Sequence, residues 1–228
     1  MASEDMARAT VAAGQADPED HSFATRLLRV AWLSIILGLA IEAVLVIIAE
    51  AFGQNGSTQP LIADIVQKIS WSFLVCMGLA IGTTIAESLP AASGVVGLLV
   101  TPLAFYIARG LHRGAIQTLG LVERSSDSIP PLLLAALRGV EYGCLGALIG
   151  WAIRRNRGTA RTHLAIGFVT GLVFGGAFLV LRSESAAVRL ALAGVLALGV
   201  NELIFPIGCA FVLYTARALE KRLIHVDS

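Results

Sequence analysis

Three glutamates stand near the middle of long apolar runs in this chain: Glu42 in residues 30–52, Glu141 in residues 131–153 and Glu202 in residues 190–215. In hydrocarbon a charged side chain at such a depth costs about 2.5–3.5 kcal/mol on insertion scales, so it calls for a partner or a purpose. Three acids at one depth on three segments are expected to converge inside a bundle. Low dielectric disfavours the ionised form of a carboxyl group, and like-charged neighbours titrate as a coupled set. Such a cluster can load and release a proton, or offer oxygen ligands to a hard cation. Arg138 precedes Glu141 by three residues and shares its helix face, which makes it the internal counter-ion. Asn201, beside Glu202, together with Thr83, Thr84 and Thr101, adds neutral oxygens. The competing reading of the same residues is structural. Arg138 then pairs with one or two acids, the others stay protonated, and their hydrogen bonds fix helix register.

Two prolines lie inside the runs. Pro102 and Pro206 each remove an intrahelical hydrogen bond and free a carbonyl about a turn earlier. Freed carbonyls near Glu202 suit an ion site or a gating hinge; an ordinary kink is the plainer alternative. Glu87, between the second and third runs, is a candidate access gate, or else a solvated helix end. Pro90 suits the first turn of the third helix. Cys76, Cys144 and Cys209 fall in separate runs with no CxxC spacing and read as small buried hydrophobes. His21, His112, His163 and His225 fall outside the runs or at their edges, and none stands at metal-ligand spacing. HExxH, GxSxG, P-loop and GxGxxG signatures are absent in any supporting context. No metal, cofactor or catalytic residue is therefore assigned, and a membrane-embedded enzyme acting on lipid is the weakest reading.

The elements that must position these residues are six apolar runs, residues 30–52, 69–89, 90–108, 131–153, 163–181 and 190–215. About 20 helical residues cross the hydrocarbon core. Lipid leaves backbone groups no water to bond, and period-two alternation is lacking, so the spans are expected to be helices rather than barrel strands. Composition agrees: 56% of the residues are hydrophobic and 14% charged, with mean hydropathy +0.78. A soluble domain carries about 25% charge. The net charge of +1 gives no nucleic-acid signal. The expected fold is all-α, a polytopic membrane protein built as a six-transmembrane-helix bundle over residues 28–218. An acidic N-terminal tail, residues 1–27, reads as disordered or weakly helical, and residues 219–228 form a C-terminal tail. Residues 53–68 read as a polar turn followed by a short interfacial helix.

With six spans the tails and the basic loop RRNRGTART (154–162) share one side. Near the span ends that side holds Arg26, Arg29, Arg154, Arg155, Arg157, Arg161, Arg217, Lys221 and Arg222, against Lys68, Arg109, Arg113, Arg124, Arg182 and Arg189 on the other. The bias places both termini in the cytoplasm and the chain in the cytoplasmic (inner) membrane. Trp32, Trp71 and Trp151 near span ends read as interfacial anchors. Gly167, Gly171 and Gly175 form a GxxxGxxxG face on the fifth run, suited to close packing within the chain or to a dimer contact.

GVVGLLVTPLAF (94–105) and GVLALGVNELIF (194–205) share six of twelve positions without a gap. A repeat of three spans would invert its direction, giving halves 28–112 and 131–218, an arrangement of secondary transporters with midplane sites. Chance likeness between Gly/Val/Leu-rich helices is the alternative. IAESLPAASGVVGLLVTP (85–102) resembles the IAExL…GL…P segment of TolQ/ExbB-type proton-channel subunits. Those subunits have three spans and a large charged cytoplasmic part, whereas six short-looped runs stand here, so nothing is carried over.

The function expected is movement of a proton, small cation or proton-coupled solute through a midplane carboxylate site. The alternative is a non-catalytic integral subunit that scaffolds or anchors a larger membrane complex. Membrane lipid is the implied surrounding, and a homo-oligomer or other membrane subunits are the implied partners; no nucleic acid is implied.

Overall fold

The computed structural model describes residues 18–53, 58–86, 91–121, 129–185 and 192–224. They form six helices: α1 (Pro18–Ala51), α2 (Thr58–Ile85), α3 (Ala92–Thr118), α4 (Pro131–Arg154), α5 (Ala160–Ser185) and α6 (Leu192–Ile224). Among the described residues there is no strand. Each helix contains a stretch long and apolar enough to cross a membrane. Glu87 and Pro90 lie outside the described residues.

Local chemistry explains several helix ends. α3 closes in a Schellman motif: Gly120 takes φ 67°, its N–H donates to Gln117 O, and Leu121 N–H donates to Ile116 O. Asn156, at φ 53°, does the same for α4, with Arg157 N–H reaching Ala152 O at 2.9 Å. Thr159 then caps α5 by accepting the Thr162 N–H at 3.3 Å. Pro131 opens α4, where the missing N–H leaves no bond unmade.

Two boundaries differ from the apolar runs in a way that matters for the site. α2 begins at Thr58 rather than Ile69, so the expected interfacial helix is the first turns of one continuous helix, and most of the expected turn lies outside the described residues. Asp64, Gln67 and Lys68 are thereby carried into the bundle. α3 continues past Ala108 to Thr118 and carries Arg109, His112 and Arg113 in its last turns. α1 begins at Pro18, inside the segment read as the N-terminal tail.

Successive helices run antiparallel. α2 packs on α3, α3 on α4 and α5 on α6, while α1 lies against both α2 and α6 and closes the bundle. Glycine sets two of these distances. A Cβ on Gly167 of α5 would stand 2.7 Å from Pro206 O of α6, and one on Gly171 would stand 2.9 Å from Leu203 O. The GxxxGxxxG face therefore serves packing within the chain. At the α3–α4 contact a Cβ on Gly139 would lie 2.9 Å from both Leu98 O and Pro102 Cγ. Helix backbones approach this closely only across small residues.

The core lies between α2, α4 and α6, with Val75, Cys76, Leu79, Tyr142, Leu145, Ile149, Phe205 and Cys209 all buried. Trp71 belongs to it, 9% exposed, and so is not the interfacial anchor its place at the start of the apolar run implied. The early start of α2 moves it a full three turns inward. Trp32 and Trp151 are exposed at 63% and 48%.

Candidate functional site

Glu42, Lys68, Glu141, Asn201 and Glu202 lie nine or ten residues from the helix ends on one side of the bundle, the side of the α1–α2, α3–α4 and α5–α6 connections. At 1.5 Å per residue that is about 14–15 Å. Four helices thus deliver polar groups to one level. Arg138, one turn from Glu141, joins them there.

Arg138 sits at the centre. Its guanidinium donates from Nη1 to Glu141 Oε2 at 2.8 Å and from Nη2 to Glu202 Oε1 at 2.6 Å. Charge-assisted bonds of this length are about twice as strong as neutral ones. Burial is nearly complete: side-chain exposure is 15% for Arg138, 0% for Glu141 and 3% for Glu202. The Phe178 ring, 4.1 Å from the guanidinium carbon, covers one side of it. On the backbone, Pro206 removes the amide hydrogen that would bond Glu202 O. That carbonyl faces α5, where a Cβ on Gly171 would stand 3.2 Å from it.

Asn201 extends the network. Its Nδ2 donates to Glu202 Oε1 at 3.3 Å, and its Oδ1 accepts from Lys68 Nζ at 2.5 Å. Lys68 also lies over the Phe205 ring, 5.6 Å from its centre. The ammonium is within electrostatic range of Glu42, Glu202, Arg138 and Asp64, with Glu42 its strongest partner. Glu42 is 7% exposed. Further out, Asp64 and His112 pair at 3.2 Å between α2 and α3, and the Asp64 side chain is 45% exposed.

The acids expected to converge do so, though not on one point. Glu141 and Glu202 share Arg138, and Glu42 stands on the Lys68 side of the network. Lys68 is the member of the network that sequence reasoning missed; it reads as a flanking charge because the apolar run begins one residue later. Its spacing of four from Asp64 was the available signal.

The threonines divide. Thr83 and Thr84 both bond Ala80 O, and Thr84 Oγ1 also accepts from Arg26, in the last turns of α2 far from the glutamates. They supply no oxygen to the site, because α2 starts and ends earlier than its apolar run. Thr101 is buried with its hydroxyl unpartnered. Pro102 lies inside α3 against Gly139, the neighbour of Arg138.

Three carboxylate oxygens in the network are buried without a hydrogen-bond partner: Glu42 Oε2, Glu141 Oε1 and Glu202 Oε2. On the N-terminal side the ion layer rests on an aromatic layer. Trp71 meets Tyr142 and Phe205 edge-on, with ring centres 5.8 and 6.4 Å apart. Next comes the contact between the thiols of Cys76 and Cys209, 3.2 Å apart, within the apolar core. The network is thus closed towards the N-terminal side, and its exposed members, Asp64 and His112, lie on the other. Among the described residues no group of three His, Cys, Asp or Glu side chains is placed to hold a metal ion.

Neither a protein-family model, nor a curated protein, nor a solved structure matches this chain.

Proposed function

We propose that the chain is an integral membrane protein, in the cytoplasmic (inner) membrane with both termini in the cytoplasm, that moves a proton, a small cation or a proton-coupled solute through the buried carboxylate network. One observation carries the reading. Three buried carboxylates surround two cations, and each keeps one oxygen without a partner. Most buried polar atoms in folded proteins are hydrogen-bonded. A network built only to fix helix register closes on itself; this one leaves acceptors free for a proton or cation. Glu42, Glu141, Glu202, Arg138 and Asn201 bind or relay the charge. Pro102 and Pro206 supply flexible points beside it, and Glu87 serves as an access gate. Halves 28–112 and 131–218 related by inverted repetition would place the site at their junction, as in secondary transporters.

A second reading has its own support. Arg154, Arg155, Arg157 and Arg161 are exposed together at the α4–α5 connection, a surface suited to docking in a larger membrane complex. Proteoliposome flux separates the two. Transport through the network requires that wild type carry a proton or monovalent cation flux and that Glu202→Gln abolish it while remaining folded. A variant with normal flux refutes the role of Glu202, and no flux from either protein favours the scaffold.

A further inference from the structure

The charges in the network do not balance. With every group ionised, Glu42, Glu141 and Glu202 carry three negative charges against two positive ones on Arg138 and Lys68. An uncompensated charge in a low-dielectric interior is costly, and a carboxyl group there neutralises instead by taking a proton. A metal cation would also restore neutrality, but it would have to enter beside two fixed cations, one of which already occupies the oxygens of two of the acids. A proton meets no such opposition.

The geometry says which acid is in excess. Arg138 holds Glu141 at 2.8 Å and Glu202 at 2.6 Å, and Glu202 Oε1 also accepts from Asn201. Asn201 in turn is held by Lys68 at 2.5 Å. Glu141, Glu202, Arg138 and Lys68 thus form a neutral set joined by hydrogen bonds. Glu42 stands outside it, buried, with Oε2 unpartnered. Lys68 is nevertheless the cation that acts on Glu42, and Asp64, four residues before it on the same face of α2, acts on Glu42 as well. α1 meets α2 where a Cβ on Gly38 would stand 2.9 Å from Lys68 O, one helical turn from Glu42. Helical side chains lean towards their own N-terminus. In antiparallel α1 and α2 that leans Glu42 and Lys68 towards each other. The other charged groups around Lys68 are Glu202 on α6 and Arg138 on α4.

We propose that the network takes up one proton, on the carboxylate of Glu42, and that the Lys68 ammonium moves between Asn201 Oδ1 and Glu42 as that proton binds and leaves. This rests on the transport reading and names its cargo. In the loaded state an O–H bond has formed on Glu42 and Lys68 donates to Asn201, the arrangement in the structure. When the proton departs to water, Lys68 keeps all three of its hydrogens and swings to the bare carboxylate. The α2–α6 bond to Asn201 then opens, so the charge on α1 is coupled to the contact between two other helices. The half-buried pair Asp64–His112 lies on the side away from the termini, and the entry is assigned to that side.

The test is pH-difference infrared spectroscopy of the full-length protein in lipid nanodiscs, following the high-frequency C=O stretch of a protonated carboxylic acid out of contact with water, which lies apart from the bands of the solvated acids. Wild type and Glu141→Gln are expected to show one titrating carboxyl band, and Glu42→Gln none. Lys68→Gln, which removes the exchanging cation but keeps the carboxyl, is expected to retain the band and to shift its midpoint to higher pH. A band that persists in Glu42→Gln and vanishes in Glu141→Gln or Glu202→Gln overturns the assignment to Glu42 and leaves a titrating transport site in place. The absence of any titrating carboxyl band from folded wild type overturns the assignment and, with it, the proton-carrying form of the transport reading.

Discussion

Replacing Arg138 by methionine tests whether the network exists as drawn. The substitution keeps an unbranched apolar stem against Phe178 and Trp71 and removes only the charge and its donors. Two carboxylates, 0% and 3% exposed, then lose the cation that holds them at 2.8 and 2.6 Å. Removing one partner of a buried pair costs about 3–5 kcal/mol, because the remaining charge is left uncompensated. At about 1.4 kcal/mol per decade that corresponds to two to nearly four orders of magnitude in the unfolding equilibrium. The triple variant Arg138→Met/Glu141→Leu/Glu202→Leu supplies the second arm. It removes the whole charged set at similar volume, and such replacements are often neutral. Reversible unfolding in mixed detergent micelles, monitored by helical ellipticity, measures both. Arg138→Met within about 0.5 kcal/mol of wild type, the range of ordinary surface substitutions, would show that the guanidinium does not bridge the two acids. A triple variant as unstable as the single one would show that packing, not charge, is what Arg138 supplies.

Three further substitutions have outcomes fixed by neighbouring contacts. Gly171→Ala puts a methyl group 2.9 Å from Leu203 O, so α5 must shift away from α6 at a cost of about 1–3 kcal/mol in the same unfolding assay. Gly176→Ala, five residues on with nothing within 4 Å of its Cβ, is expected to be neutral or to stabilise by up to about 1 kcal/mol. Asn201→Leu removes the acceptor of Lys68 and the second donor to Glu202; about 1–3 kcal/mol is expected to be lost in that assay, and a silent variant would break the proposed link between α2 and α6.

The helical, six-segment design was legible because it depends on long apolar runs, and chain length alone turns those into elements that can cross a membrane. The glutamates were legible for the opposite reason: an ionisable group in such a run has no cheap exposed position. Spacing of three sufficed to join Arg138 to Glu141. What escaped was the beginning of α2. Asp64, Gln67 and Lys68 lower the apparent hydropathy of its first turns, so the apolar run understates the helix. Lys68, and Asp64 beside it, belong to the network, and the feature that hid the boundary is the one that completes it. The same displacement misplaced Trp71 and put Thr83 and Thr84 among the candidate oxygens. The contact between Cys76 and Cys209, from helices more than a hundred residues apart, had no sequence signal at all.

The layer formed by Trp71, Tyr142 and Phe205 has an electrical consequence in a membrane. Moving one elementary charge through the whole of a 100 mV potential involves about 2.3 kcal/mol. Where water-accessible polar groups reach inward from one face, the potential changes little across them and falls mainly over the dry remainder. Here the dry remainder lies between the aromatic layer and the N-terminal side. If the chain carries protons as proposed, one that reaches Glu42 from the Asp64–His112 side crosses the smaller share of the field, and the larger share acts on its passage past the three rings. The rate of that second passage, rather than of loading, is where a membrane potential would be felt.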